Sequence, residues 1–197
     1  MVDVRNFQHM PLREMRKFFT KPECVTVDIN QIGKVLEVSV LPHDLSKYRI
    51  DGEMVMCAFV TNEAGNSCIF YAEELYGESQ REGRVFLMMA FARYITTCKK
   101  EFVITKHTKL TQWEKTLVDE LLMSREAVKD VVNRLLIPTT YNLSEIFQVP
   151  QEFVKERLKD LKLPTLIAGY NYWHISCKAR IFPRLFAVYC KKCNFKY

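Results

Sequence analysis

The order of apolar and polar positions predicts strands in the first half of the chain and helices in the second. Residues 34–41 (KVLEVSVL) carry β-branched side chains in partial alternation, which is typical of a strand. Residues 54–60 (MVMCAFV) form a continuous apolar run, and the turn sequence TNEAGN separates them from SCIFYA at 67–72. Two such runs around an Asn- and Gly-containing turn predict a hairpin with at least one buried strand.

After Gly77 the apolar period changes from two residues to about 3.6, which is typical of helices. Residues 84–98 predict a central helix, because ten of the eleven residues from 85 to 95 are apolar and Arg93 is the single charge. Thr111 and Glu114 fit a capping box that starts a second helix. Ser124 is placed to cap the helix that follows.

Residues 142–163 predict two short helices around a tight turn, with Asn142 as the cap of the first and Pro150 at the first position of the second. This is helix-turn-helix geometry, which many bundles that do not bind DNA share. With strands first and helices afterwards, the predicted fold class is α+β. We expect a small antiparallel sheet packed against a helical bundle with a central apolar helix, plus a short C-terminal zinc-ribbon-like hairpin.

Composition sets the broad class. Of the 197 residues 48% are hydrophobic and 26% are charged, which is typical of a folded globular chain. We expect one domain over 1–165 and a small appended tail over 166–197. The net charge of +6 is compatible with an acidic or nucleic-acid partner but does not require one.

Cysteine usage and the N-terminal sequence suggest a compartment. The seven cysteines are an odd number, and no apolar segment like that of a signal peptide precedes them. Both features predict reduced thiols in the cytoplasm. No apolar run reaches the roughly 18 residues that a membrane span needs, so we expect no membrane partner.

The tail carries two short pairs of metal-ligand residues. Twelve residues, enough for a hairpin, separate the pair His174 and Cys177 from the pair Cys190 and Cys193. This spacing predicts one structural zinc held by four protein ligands. In the alternative interpretation, the first pair packs in a core and the second is an exposed thiol pair without metal.

Four segments in order resemble the ImmA/IrrE family of zinc metallopeptidases, which are associated with phages and mobile elements and cleave repressor proteins. The segments are VDINQIGKVLEVSV, SQREGRVF at 79–86, LVDELLMS at 117–124 and NLSEIFQVPQEFVKERLKDLKL. The resemblance covers 25–163 and implies a peptidase-like domain in a bacterial host cell.

The metal motif of that family is missing from the predicted central helix. The resemblance places the first ligand at Ala90, the catalytic Glu at Phe91 and the second ligand at Tyr94. A register shifted by one residue gives Phe91, Ala92 and Ile95 instead, and neither register supplies a ligand. The third ligand would fall near residues 111–112, and only a displaced Glu114 offers an acid there. We therefore expect no metal in this cleft and no catalytic residue. In the alternative interpretation, the helix is ordinary core and only the fold is similar.

The resemblance implies a pseudo-peptidase, encoded by a phage or mobile element, that binds a protein partner without cleaving it. The partner would be a repressor or a host defence protein. We expect Met88, Met89, Phe91 and Tyr94 to border or fill the former cleft, since Met and aromatic side chains suit adaptable protein recognition.

Two other functions remain open. A nucleic-acid-binding regulator would use the helix pair at 142–163 and the basic tail, with phosphate contacts from Lys155, Arg157, Lys159 and Lys162. The acidic residues interleaved with these cations favour a solvated helix instead. An enzyme with a relocated site is the third hypothesis, although no ligand set accompanies it.

Overall fold

The computed structural model describes residues 4–20, 25–75, 80–135 and 139–163. The helices are α1 Val4–Gln8, α2 Leu12–Phe19, α3 Ile29–Leu36, α4 Gln80–Thr97, α5 Gln112–Leu122, α6 Arg125–Arg134, α7 Thr140–Phe147 and α8 Gln151–Asp160. The strands are β1 Val38–His43, β2 Arg49–Ile50, β3 Glu53–Thr61, β4 Ser67–Ala72 and β5 Glu101–Thr105, and a 3-10 turn spans Glu73–Leu75. The fold is a mixture of helices and one small sheet, as the sequence predicts.

The sheet is mixed, which corrects the prediction of an antiparallel sheet. Strand β3 lies antiparallel to β4 and to β5, whereas β1 pairs with β4 in parallel, with Val38 opposite Ser67. The hairpin predicted from the two apolar runs is β3–β4. Alternation along one strand shows which residues share a face, but it does not show the direction of the neighbouring strand.

One predicted strand begins too early, and another strand was missed. Residues 34–36 belong to α3, which starts where the Asp28 carboxylate accepts the backbone N–H groups of Asn30 and Gln31. The helix ends at Glu37, whose φ of 56° is left-handed, so the strand begins only at Val38. Strand β5 was not predicted, and it lies between α4 and α5, so the strands do not all precede the helices.

Helix α4 is the centre of the main core, as its apolar sequence predicts. It contacts β3, β4 and β5 of the sheet, and its neighbours among the helices include α5 and α1. Met88, Ala90, Phe91, Ala92 and Ile95 are fully buried. Sheet side chains that point to the same core are Val38, Phe59, Ile69 and Ile104.

Of four predictions about helix starts, two are confirmed and two are wrong. The capping box of Thr111 and Glu114 and the Ser124 cap are both confirmed. The Asn142 cap is wrong, because the Thr139 side chain accepts the backbone N–H of Asn142 and the helix starts earlier. Pro150 is the residue before the first turn of α8 and not its first helical position.

Gly33 fixes the contact between α3 and β1. A Cβ at this position would lie 2.7 Å from the backbone carbonyl oxygen of Val38. Alanine would gain up to about 1 kcal/mol of helix propensity, but the clash with backbone costs more. We expect Gly33→Ala to lower the free energy of unfolding by about 2 kcal/mol in urea denaturation. Lys34→Ala, at an exposed position of the same helix, is the control and should change it by less than about 0.5 kcal/mol.

Candidate functional site

The surface of α4 where the resemblance places metal ligands is packed with hydrophobic side chains. Ala90 and Phe91 are fully buried in the main core. The Tyr94 ring stacks on Phe59 of β3 with centroids 4.4 Å apart. Ala90, at the first ligand position, offers no lone pair to a metal ion, Phe91 offers no base at the position of the catalytic Glu, and the Tyr94 ring at the second ligand position is stacked on Phe59. These positions therefore do not fit the zinc site of the family that the chain resembles.

An ion pair joins α4 to α5 directly beside these positions. The Arg93 Nε donates to the Glu114 Oε1 at 3.0 Å, and an Arg93 terminal nitrogen donates to the Lys109 carbonyl at 2.7 Å. The Glu114 carboxylate also accepts the backbone N–H of Thr111 at 2.6 Å. The Glu114 side chain is only 2% exposed. Glu114, the one acid near the third ligand position that the resemblance implies, is therefore engaged by an arginine and by its own capping box.

These contacts decide the charge state of Glu114. Burial by itself raises the pKa of this carboxyl group, but the hydrogen bonds from Arg93 and Thr111, together with the Arg93 charge, outweigh it. The net result is a pKa below the ordinary value, so Glu114 is ionised at neutral pH. A carboxylate held in this way is a structural anion and not a proton acceptor for a reaction near pH 7.

The four residues expected to contact a partner lie mostly inside the protein. Met88 and Phe91 are fully buried and Met89 is 8% exposed, while Tyr94 is partly exposed. They fill the interior next to α4 and do not border an open surface. Tyr94 is the most exposed of the four.

An open cleft of about 380 Å³ lies one to two turns earlier, around the first half of α4. Its lining combines charged, amide and apolar side chains from α3 and its cap, β1, β4, the 3-10 turn, α4 and the end of α7: Asp28, Ile29, Asn30, Val40, Tyr71, Leu75, Gln80, Arg81, Gly83, Arg84, Leu87 and Gln148. The sequence signal for it was the segment 79–86, which the resemblance identifies as the approach to the active-site helix. The residues that line the cleft were not predicted individually.

Two arginines of α4 lie in this cleft and are held by contacts to neighbouring elements. Arg81 donates to the Ser144 hydroxyl at 3.1 Å and to the Glu145 carboxylate at 2.5 Å, both on α7. Arg84 donates through a terminal nitrogen to the Val27 carbonyl. Its Nε is buried and has no hydrogen-bond partner among the described residues. The cleft therefore contains two guanidinium groups, held in place by neighbouring elements, and the Asp28 carboxylate.

The predicted phosphate contacts on α8 are only partly available. Lys159 and Lys162 are exposed, and Lys155 lies 3.6 Å from the Glu152 carboxylate. The expected phosphate contact by Arg157 does not fit its position. Its side chain is 7% exposed, pairs with Glu120 and donates through Nε to the Met123 carbonyl at 2.9 Å. It ties α8 to α5 and cannot contact a phosphate from this position.

The predicted zinc ligands His174, Cys177, Cys190 and Cys193 lie outside the described residues. Within residues 4–163, excluding the undescribed gaps, no group of three or more His, Cys, Asp or Glu side chains is arranged to hold a metal ion. Among the helices that the structure describes, none has both the length and the apolar character to cross a membrane.

Comparisons of the chain with protein-family models, with curated proteins and with solved structures return no match.

Proposed function

We propose that the chain is a pseudo-peptidase of the ImmA/IrrE-like type, which binds a protein partner and does not cleave it. The observation that supports this most is the Arg93–Glu114 ion pair between α4 and α5. It lies beside the positions that the resemblance assigns to metal ligands. The partner class follows from the resemblance alone: a repressor or a host defence protein, in a phage or mobile-element setting.

The side chains beside the ion pair explain why binding is favoured over hydrolysis. A metallopeptidase needs a water molecule activated by a metal and a carboxylate base next to the scissile bond. Ala90 and Phe91 are fully buried, and neither side chain can bind a metal ion or accept a proton. The Arg93 cation supplies the positive charge that holds the Glu114 carboxylate and joins the two helices.

The cleft at the first half of α4 is the proposed contact for the partner. Its volume of about 380 Å³ lies at the lower end of the range of ligand pockets, and its lining includes Arg81 and Arg84 next to apolar Leu75 and Leu87. Fixed cations, amides and apolar side chains together suit a short polypeptide segment of mixed polarity.

The absence of cleavage is tested by incubating the chain with a candidate repressor and zinc and measuring the intact mass of the repressor. We expect an unchanged mass. Metal-dependent cleavage that persists after Phe91→Ala would contradict the proposal, because it would show a catalytic site elsewhere in the chain.

Nucleic-acid binding is a second candidate, favoured by the distribution of charge. Residues 164–197 contain six Lys and Arg and no Asp or Glu, so they carry the whole net charge of +6. The remaining 163 residues contain 23 basic and 23 acidic side chains. The tail, and not α8, is therefore the segment with an unbalanced positive charge.

The two candidates differ in the dependence of affinity on salt. If the tail binds phosphate groups, Lys191→Gln/Lys192→Gln should reduce the slope of log affinity against log salt by about 2, close to one unit per lost contact. Lys155→Gln/Lys159→Gln removes the same charge from α8 and serves as the matched control. An equal reduction in both variants, or in neither, would contradict nucleic-acid binding by the tail.

A further inference from the structure

The charged side chains that line the cleft at the first half of α4 are unequal in number. Arg81 and Arg84 of α4 supply two guanidinium groups, and Asp28, the cap of α3, supplies one carboxylate. Two cations and one anion give the lining a net charge of +1. The cleft therefore favours an anionic group over a cationic one.

Arg81 already has an anion of its own. Its guanidinium group pairs with the Glu145 carboxylate at 2.5 Å and donates to the Ser144 hydroxyl at 3.1 Å. Both partners belong to α7, and neither lines the cleft. Because Glu145 largely neutralises Arg81, the cation that remains for an incoming anion is Arg84.

The burial of Arg84 is only partly compensated by its neighbours. One terminal nitrogen donates to the Val27 carbonyl, while Nε is buried and has no hydrogen-bond partner among the described residues. The pKa of Arg84 lies below its ordinary value, because burial disfavours the charged form more than the nearby Asp28 charge favours it. A second anion in the cleft would offset this cost through space as well as by hydrogen bonding.

Apolar side chains line the same cleft. Leu75 of the 3-10 turn and Leu87 of α4 are 5% and 7% exposed, and Ile29 and Val40 are half-buried. A ligand that carried only a charge would leave this apolar surface in contact with water. The cleft volume of about 380 Å³ accommodates a few side chains of a polypeptide, so a charged and an apolar side chain can enter together.

We propose that the cleft recognises a carboxylate of the protein partner, from an Asp or Glu side chain that stands next to an apolar residue. The carboxylate lies against Arg84, and the apolar side chain packs on Leu75 and Leu87. The inference rests on the proposed function, since it takes the cleft to be the place where the partner binds. A guanidinium group suits this task because its planar N–H groups match the two oxygens of a carboxylate.

Selection from a displayed library of random short peptides tests the inference with the full-length chain. Peptides that also bind Asn30→Trp, in which an indole ring fills the cleft, are discarded. We expect the remaining peptides to carry Asp or Glu beside an apolar residue at least about threefold more often than the library. Cleft-dependent peptides without this enrichment would overturn the carboxylate and leave the cleft as a docking site. If no peptide depends on the cleft, both the inference and the proposed docking site are wrong.

A double-mutant cycle with one selected peptide measures the contact itself. Replacing the acidic residue of the peptide by its amide should weaken binding to the wild-type chain at least about tenfold, because a charge-assisted pair is lost. The same replacement should weaken binding to Arg84→Gln less than about threefold. Arg134→Gln removes an exposed cation from α6 and should keep the full effect.

Two outcomes of this cycle would overturn the proposal. One is an equal effect of the peptide change on the wild-type chain and on Arg84→Gln. The other is an effect below about threefold on the wild-type chain, which decides the matter whether or not Arg84→Gln folds.

Discussion

Arg93→Met is expected to lower the free energy of unfolding by about 3 kcal/mol at neutral pH, because it leaves the buried Glu114 carboxylate without its cation. Glu114→Gln should cost about 2 kcal/mol, since the amide still fits the site and leaves Arg93 partly solvated. The double variant should be less destabilised than the sum of the two, by at least about 1 kcal/mol, because the partners lose a shared interaction. Urea denaturation of the four proteins measures this coupling.

The matched control is Arg134→Met, which breaks an exposed ion pair with Asp130 on α6. Exposed pairs of this kind contribute less than about 1 kcal/mol. If Arg93→Met were no more destabilising than Arg134→Met, the ion pair would not be what joins α4 to α5.

Acid should remove the same contribution. The pKa of Glu114 lies below its ordinary value of 4.5, so its stabilising effect is fully present above that value and is lost as the pH falls through the lower folded-state pKa. We therefore expect the wild-type chain to lose more stability than Glu114→Gln below about pH 4.5. Parallel stability curves for the two proteins in that range would contradict the assigned charge state.

Arg157→Met should lower the free energy of unfolding by about 3 kcal/mol, because it leaves Glu120 without its cation and the Met123 carbonyl without its donor. The reason is the position of Arg157, which is buried between α8 and α5. Denaturation of this variant is compared with that of Lys159→Met, an exposed position of the same helix that should change stability by less than about 0.5 kcal/mol.

The same pair of variants distinguishes a structural Arg157 from a phosphate contact. If Arg157 contacts nucleic acid, its replacement should weaken binding and reduce the salt slope by about 1 while stability stays unchanged. We expect the opposite: a large loss of stability and an unchanged salt slope in the folded fraction.

Short-range signals in the sequence predicted part of the local structure, although the cap at Asn142 and the helical position of Pro150 were wrong. The capping box at Thr111 and Glu114 needs only two residues three positions apart, and it forms as expected. The β3–β4 hairpin likewise follows from two apolar runs and the turn between them. The boundary between α3 and β1 was harder, because β-branched residues occur on both sides of Glu37.

The features that depend on distant partners were not predicted. Arg93 was noted only as the single charge in an apolar helix, and its partner Glu114 is 21 residues away. The charged residues near Arg157, such as Glu156 and Lys159, suggested a solvated face. Its side chain instead contacts Glu120 of α5 and the carbonyl of Met123, which follows that helix. The open cleft combines side chains from α3 and its cap, β1, β4, the 3-10 turn, α4 and the end of α7, which no local pattern brings together.

We propose that the chain holds its protein partner through the cleft at α4. The most direct measurement is affinity capture from nuclease-treated host lysate with three full-length proteins: wild type, Asn30→Trp and Lys129→Trp. Asn30 lines the cleft, and its cap contact to Asp28 is made by the backbone N–H, so the substitution fills the cleft and leaves the cap in place. Lys129 is exposed on α6 and does not line the cleft.

We expect one protein of intact mass to be retained by wild type and Lys129→Trp and to be lost with Asn30→Trp. Equal retention by all three proteins would show that the partner binds elsewhere. A partner that is recovered only as cleaved fragments, or is lost on nuclease treatment, would contradict a non-cleaving protein binder.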